Sequence, residues 1–161
     1  MTSPLAPLDR PRGPAAVLLA QRSFVTEVVV RAAPSAVLAA LDDLPAFFRL
    51  NPLVVAVDRV AGETDTYVVT DRLRFLGVPF DFRYKARSVR VPGGLDSEVW
   101  ASPATHLHNE LRVLPEGASA RVRETVRVTA PRPLAGYAMT AAQAAHRDLL
   151  NRLAARVEAG A

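Results

Sequence analysis

The hydrophobic pattern of the chain changes period twice. In Phe24–Arg31 (FVTEVVVR), the residues Phe24, Thr26, Val28 and Val30 share one parity, the mark of a first strand with one buried face. Pro34 then sits where a helix would start, with Val37, Leu38 and Leu41 on one side. Pro45 is expected to break that helix, leaving a second short one over Ala46–Leu50 that ends before Asn51-Pro52. From Leu53 to Thr129 the period is two. Candidate strands are Val54–Ala61, Thr66–Leu76, Phe80–Val91, Gly94–Ala101, Thr105–Leu114 and Ser119–Thr129. Their boundaries fall at glycine- and proline-containing turns such as Pro92-Gly93-Gly94 and Pro115-Glu116-Gly117. Gaps this short favour hairpins and a meandering antiparallel sheet over crossovers to parallel strands.

After Pro131 and Pro133 the period becomes helical again and stays so to Glu158. Ala138, Ala142, Ala145, Leu149, Leu153 and Val157 form one stripe, alanine-rich in its first half and leucine-rich in its second. At about 1.5 Å per residue, a helix over 134–158 spans roughly 37 Å. A strand of about eleven residues at about 3.4 Å each is nearly as long. One helix can therefore cross the whole concave face of a curved sheet, with its alanine half leaving room beside it. The predicted class is α+β: a seven-stranded curved antiparallel sheet, two short helices after strand 1, and a long C-terminal helix across the concave face. A ligand-sized cavity between helix and sheet is expected; the competing expectation is that Phe75, Phe80, Phe82, Tyr84 and Trp100 fill the space.

Parity assigns the faces, provided that no bulge reverses it. Tyr67, Asp71, Phe82, Tyr84, Asn109, Leu111, Val122 and Glu124 point inward on their strands. Glu124, between Val122 and Val126, is the most informative. A carboxylate buried there must be solvated in a pocket, bonded to a partner, or protonated. On the closing helix, Tyr137 falls at one end of the cavity, Ala141 lies in the small-residue half and His146 beside the apolar stripe. His106 and His108 fall on the opposite parity with Glu110 and Arg112, so a solvated polar face is expected there and no metal site. Arg83, Lys85, Arg87, Arg121, Arg123 and Arg127 would form a basic convex face, interleaved with Asp96, Glu98 and Glu110 in cross-strand pairs.

Composition narrows the chemistry. The 161 residues contain no cysteine, which excludes disulfides, thiol catalysis and thiolate metal centres. The net charge of +4 comes from nineteen arginines and one lysine against sixteen acids, and the basic residues are spread along the chain. No aromatic ladder accompanies them and no glycine-rich phosphate loop or nucleophile elbow occurs, so no specific nucleic-acid partner and no nucleotide cofactor are expected. No cofactor of any kind is predicted. Residues 1–21, rich in proline up to Pro14, are expected to form a flexible tail, 22–158 one domain, and 159–161 a frayed end. The run Ala15–Ala20 is far shorter than the roughly twenty apolar residues that span a bilayer, so no membrane insertion and a cytoplasmic location are expected.

Three stretches carry a family resemblance: Thr26–Asp42 (TEVVVRAAPSAVLAALD), Phe48–Pro52 (FRLNP) and Ala145–Leu153 (AHRDLLNRL). With the order of elements, they resemble the START/Bet v 1-like (SRPBCC) superfamily, in particular its bacterial polyketide cyclase/dehydrase and lipid-transport group. The resemblance covers about residues 22 to 158. It implies the helix-grip fold and a lid over the cavity mouth at Phe47, Phe48 and Leu50. It implies no catalytic motif, because the group has no universal one. Here Leu50 replaces the usual aromatic residue at the helix exit.

Three functions are open to such a chain. One is binding or carriage of a small apolar or amphipathic ligand, such as a lipid, quinone or polyketide. The second is a cyclase/aromatase-type enzyme, in which Glu124, His146, Tyr84 or Asn109 would orient and deprotonate a substrate. The third is a protein–protein module or homodimer with an incidental cavity, which predicts an exposed apolar patch at Phe47, Phe48, Leu50 and Leu53.

Overall fold

A computed structural model of the chain describes residues 18–160. Seven strands form one antiparallel sheet in the order β1-β7-β6-β5-β4-β3-β2. The strands are β1 (Leu19–Val30), β2 (Val54–Arg59), β3 (Thr66–Phe75), β4 (Val78–Val91), β5 (Gly94–Ala101), β6 (Thr105–Glu116) and β7 (Ser119–Pro131). Helices α1 (Pro34–Ala40) and α2 (Leu44–Phe48) carry the chain from β1 at one edge to β2 at the other. Helix α3 (Arg132–Ala159) closes the fold. This is the predicted α+β architecture.

Several boundaries shift by a few residues from the sequence expectation, and two of the shifts have a clear cause. Strand β1 starts five residues before Phe24, because β7 runs on to Pro131 and supplies partners as far as the pair Leu19↔Pro131. Of the expected tail, residues 1–17 lie outside the described residues, whereas 19–21 belong to β1. Helix α2 starts before Pro45 rather than after it. Asp43 caps it by accepting a hydrogen bond from the Ala46 N–H at 3.0 Å, and Pro45 occupies the first turn, where a missing N–H costs nothing.

The core is built around the second half of α3. Leu149, Leu150, Leu153 and Val157 are buried against Val30, Val37, Leu41, Tyr67, Leu111 and Val122. Each such leucine contributes about 1.5–3 kcal/mol by leaving water. The first half of α3 has a thinner anchorage. There Ala138, Met139 and Ala142 pack on a small cluster of Phe24, Val126 and Val128. Among the described residues no helix is long and apolar enough to cross a membrane.

The convex face is not uniformly solvated, which corrects the expectation for the histidines. His108 is buried: its Nδ1 lies 2.6 Å from Glu98 Oε1 and its Nε2 3.2 Å from Glu110 Oε1. Glu98 also bonds His106, whose ring stacks near Trp100 at 5.8 Å. The cause is register. Glu98 pairs across the ladder with His108 in the centre of the sheet, where long neighbours shield both. Burial alone would raise the Glu98 pKa, but the bonds to His106 and His108 outweigh it and hold that carboxyl below its usual range. Several expected basic residues pair with acids: Arg127 with Glu110, Arg121 with Glu27 and Glu116, and Lys85 with Glu63.

Two glycines on this frame respond oppositely to an added methyl group. A Cβ on Gly94 would stand 1.9 Å from the Leu111 carbonyl oxygen, a backbone atom in the adjoining strand, whereas one on Gly136 meets open space. Gly94→Ala is expected to cost roughly 1–3 kcal/mol or more through forced strand separation. Gly136→Ala, within α3, is expected to gain up to about 1 kcal/mol from helix propensity. Chemical denaturation of the two variants checks both signs.

Candidate functional site

Between the alanine half of α3 and the concave sheet lies a cavity of about 400 Å³. Its roof is Ala138, Ala141, Ala142 and Ala145, one-carbon side chains that fill little of the space beneath them. Its walls are mainly aromatic and aliphatic, including Phe47, Phe48, Phe80, Phe82, Leu107 and Leu111. Phe80, Leu134 and Tyr137 line it and are also exposed, at 44%, 40% and 70%, so the cavity opens between the β3–β4 hairpin and the first turns of α3.

The cavity brings together eight of the nine residues that parity and helix position suggested for ligand contact: Asp71, Phe82, Tyr84, Asn109, Glu124, Tyr137, Ala141 and His146. Tyr67 shares the inward face but is not among them. It lies four ladder positions along β3 from Asp71, 2% exposed in the packed core, with its hydroxyl accepting from Arg59 at 3.1 Å. Phe47 and Phe48 line the inner wall, and Phe48 meets the Tyr67 ring at 5.5 Å. Leu50 packs on the core away from the lining. The exposed apolar patch expected at Phe47, Phe48, Leu50 and Leu53 is therefore missing, because these side chains face inward; exposed apolar residues gather at the hairpin tip instead, at Leu76, Val78 and Phe80.

Of the polar groups in the lining, three centres combine burial with charge or an unmet hydrogen bond. On β7 and α3, Glu124 is 4% exposed and its Oε2 lies 2.8 Å from His146 Nδ1. Burial alone would lower the His146 pKa, but the charge of Glu124 and the hydrogen bond to it outweigh burial and hold the imidazole above its ordinary value. Glu124 thus favours the protonated form of the imidazole. The edge of Phe24 packs against the imidazole at 5.9 Å and fixes its plane.

On the opposite wall, the Tyr84 hydroxyl donates to Asp71 Oδ1 at 3.3 Å. Burial pushes the Asp71 carboxyl up to about 6, only partly opposed by this bond, and burial and the charge of Asp71 raise the Tyr84 hydroxyl in turn. Between the two walls, Asn109 is 7% exposed on the sheet floor, and its Oδ1 is buried with no hydrogen-bond partner. Such an orphan costs about 1–3 kcal/mol unless something bonds it. The neighbouring Ser97, by contrast, is satisfied by Ser88 at 2.7 Å.

Lining residues outside the sequence-derived set include Asn51, Ser97, Ser102, Thr105 and Leu134. The alternation Leu95, Ser97, Val99, Ala101 carried the signal for Ser97. Nothing local marked the other four, which sit in loops or at element ends.

A family model described as polyketide cyclase / dehydrase and lipid transport matches residues 21–158. The chain belongs to that family. Among solved structures it is similar to the Zhui aromatase/cyclase from Streptomyces sp. R1128, with 15% identity, 86% of this chain and 94% of that one covered, and a TM-score of 0.67. A START superfamily protein from Mycobacterium smegmatis matches with 14% identity, 86% and 99% coverage, and a TM-score of 0.64. Ara h 8.0201 matches with 12% identity, 86% and 98% coverage, and a TM-score of 0.65. At these identities the likenesses show the fold, which is START/Bet v 1-like. A comparison with curated proteins finds no match.

The Glu124–His146 pair sets a pH dependence with a definite sign. Because the folded imidazole titrates above its unfolded value of 6.5, the stabilisation is complete below that pH and is lost as pH rises through the folded pKa. NMR titration of His146 is expected to give a midpoint above 6.5 in the wild-type protein and a lower one in Glu124→Gln, where burial acts unopposed. A wild-type midpoint at or below the ordinary value would contradict the pairing.

Proposed function

We propose, with this family and this cavity as premises, that the protein binds and carries a small apolar or amphipathic molecule between α3 and the sheet. The observation that carries the reading is the roof of four alanines over an aromatic and aliphatic wall, enclosing about 400 Å³ that no side chain fills. That volume lies within the usual range for small-molecule pockets of about 300–1,000 Å³. Few polar groups reach it, so burial of apolar surface supplies the affinity and the polar groups supply orientation.

The pairing of Glu124 with His146 favours a second reading, a cyclase/aromatase-type enzyme. An imidazole oriented by a carboxylate beside an apolar cavity has the parts of an acid–base catalyst. Because Glu124 favours the protonated imidazole, the first role of His146 there would be to donate a hydrogen bond to a substrate carbonyl oxygen. Once that proton has passed to the oxygen, the neutral imidazole can take a proton from the adjacent carbon, which leaves the enol and restores the imidazolium. His146→Ala separates the readings: a carrier keeps its affinity for a neutral apolar ligand, whereas an enzyme loses turnover of a poly-β-ketone.

The binding reading is tested with Nile red, a neutral apolar fluorophore. The wild-type protein is expected to bind it with a blue-shifted, enhanced emission. The double variant Ala141→Phe/Ala145→Phe, which fills the roof, is expected to weaken binding by roughly tenfold or more while leaving the thermal transition in place. Equal affinity in a folded double variant would place the dye elsewhere and overturn the proposal.

A further inference from the structure

The polar groups of the cavity are unequal in charge, and that inequality specifies one end of the ligand. No lysine or arginine is among the residues lining the cavity, while two carboxylates are. Glu124 has His146 as its counter-charge at 2.8 Å. Among the described residues Asp71 has none: its partner is the neutral Tyr84 hydroxyl at 3.3 Å. Asp71 is also buried, at 8% exposure, and faces Phe82 directly across the β3–β4 ladder. The cavity therefore holds one uncompensated negative charge against an aromatic wall.

We propose that the cavity selects an apolar molecule that ends in a protonated amine, held by the Asp71 carboxylate. The inference rests on the cavity-binding reading above and adds the chemical class of its ligand. An ammonium group can neutralise Asp71, and it can lie over the faces of Phe82 and Tyr84, whose centroids are 6.1 Å apart. A carboxylate or phosphate ligand would meet two acids and no fixed cation other than the imidazole already committed to Glu124. A neutral alcohol could bond Asp71 but would leave its charge buried and uncompensated, which is the costly state. The raised pKa of Asp71 fits a carboxyl awaiting a cation, because a bound ammonium would restore its ionised form.

Asn109 stands three strands from Asp71 and Glu124 four, so the polar centres lie on different parts of the cavity wall. The apolar body of the ligand occupies the interval between them. The far wall takes a neutral hydrogen-bonding group or none.

The test compares n-octylamine, n-octanol and n-octanoate by calorimetry against the full chain, with Nile red as the control for an open cavity. Octylamine is expected to bind roughly tenfold or more tightly than octanoate, and more tightly than octanol. Near pH 6 its binding is also expected to release about half a proton, read from the buffer dependence of the heat, as Asp71 ionises. Asp71→Asn is expected to remove the preference for the amine over the alcohol and the acid. If that variant does not fold, Tyr84→Phe carries the test, because it frees the carboxylate and should preserve or strengthen the preference. Octanol or octanoate binding as tightly as octylamine overturns the proposal, as does a preference that survives Asp71→Asn or disappears in Tyr84→Phe. Nile red binding without any binding of octylamine overturns the amine alone; failure of Nile red as well overturns the cavity reading beneath it.

Discussion

The structure depends on a single helix whose two halves have different jobs. The second half of α3 inserts Leu149, Leu150, Leu153 and Val157 into the main core, and this fixes the helix axis relative to the sheet. The first half must follow that axis out over the concave face, but it carries alanines. Side chains of one carbon cannot fill the space over a sheet that the leucines hold at their own distance. The gap is therefore a consequence of how side-chain size is distributed along one continuous helix, and it is maintained without any loop or hinge. The small cluster of Phe24, Val126 and Val128 under Ala138 and Ala142 keeps the first half from lifting away.

That construction places a low-dielectric space next to polar groups that the fold does not fully satisfy. Glu124 and His146 compensate one another, whereas Asp71 and Asn109 do not find full compensation within the protein. An ionised Asp71 with a pKa raised from 3.8 to about 6 is a net cost to the folded state at neutral pH. Costs of this kind are removed by a bound partner, so the same residues that weaken the empty protein give the cavity its selectivity. The contrast with the convex face is instructive. There Glu98, His106, His108 and Glu110 are also buried or half-buried, yet they satisfy each other.

Much of this arrangement was legible from period and parity. Strict alternation in β3, β4, β6 and β7 put Asp71, Tyr84, Asn109 and Glu124 on one face, and no bulge in those strands reversed it; the one irregularity, between Val54 and Ala56, lies in β2. The shift from alanine to leucine along the final helix announced the gap. Parity gives a face but not a position along the face, which is why Tyr67 was grouped with the cavity although it sits in the packed core. Pairing across elements was not legible either. Glu124 and His146 are joined by the rotation of α3 over β7, and only coordinates show that the valine-flanked carboxylate meets the helix histidine. The burial of His108 was hidden for a related reason: it arises from neighbours on adjoining strands, which a strand read alone does not contain.

The most direct test of the central claim is a crystal structure of the protein determined after exposure to a neutral apolar compound. The account predicts non-protein density beneath Ala141 and Ala145, with Phe80 and Tyr137 at its mouth and the sheet floor at Asn109 beneath it. Phe80, Phe82 and Tyr137 folded into that space, in contact with the alanines and leaving no room for a ligand, would contradict it.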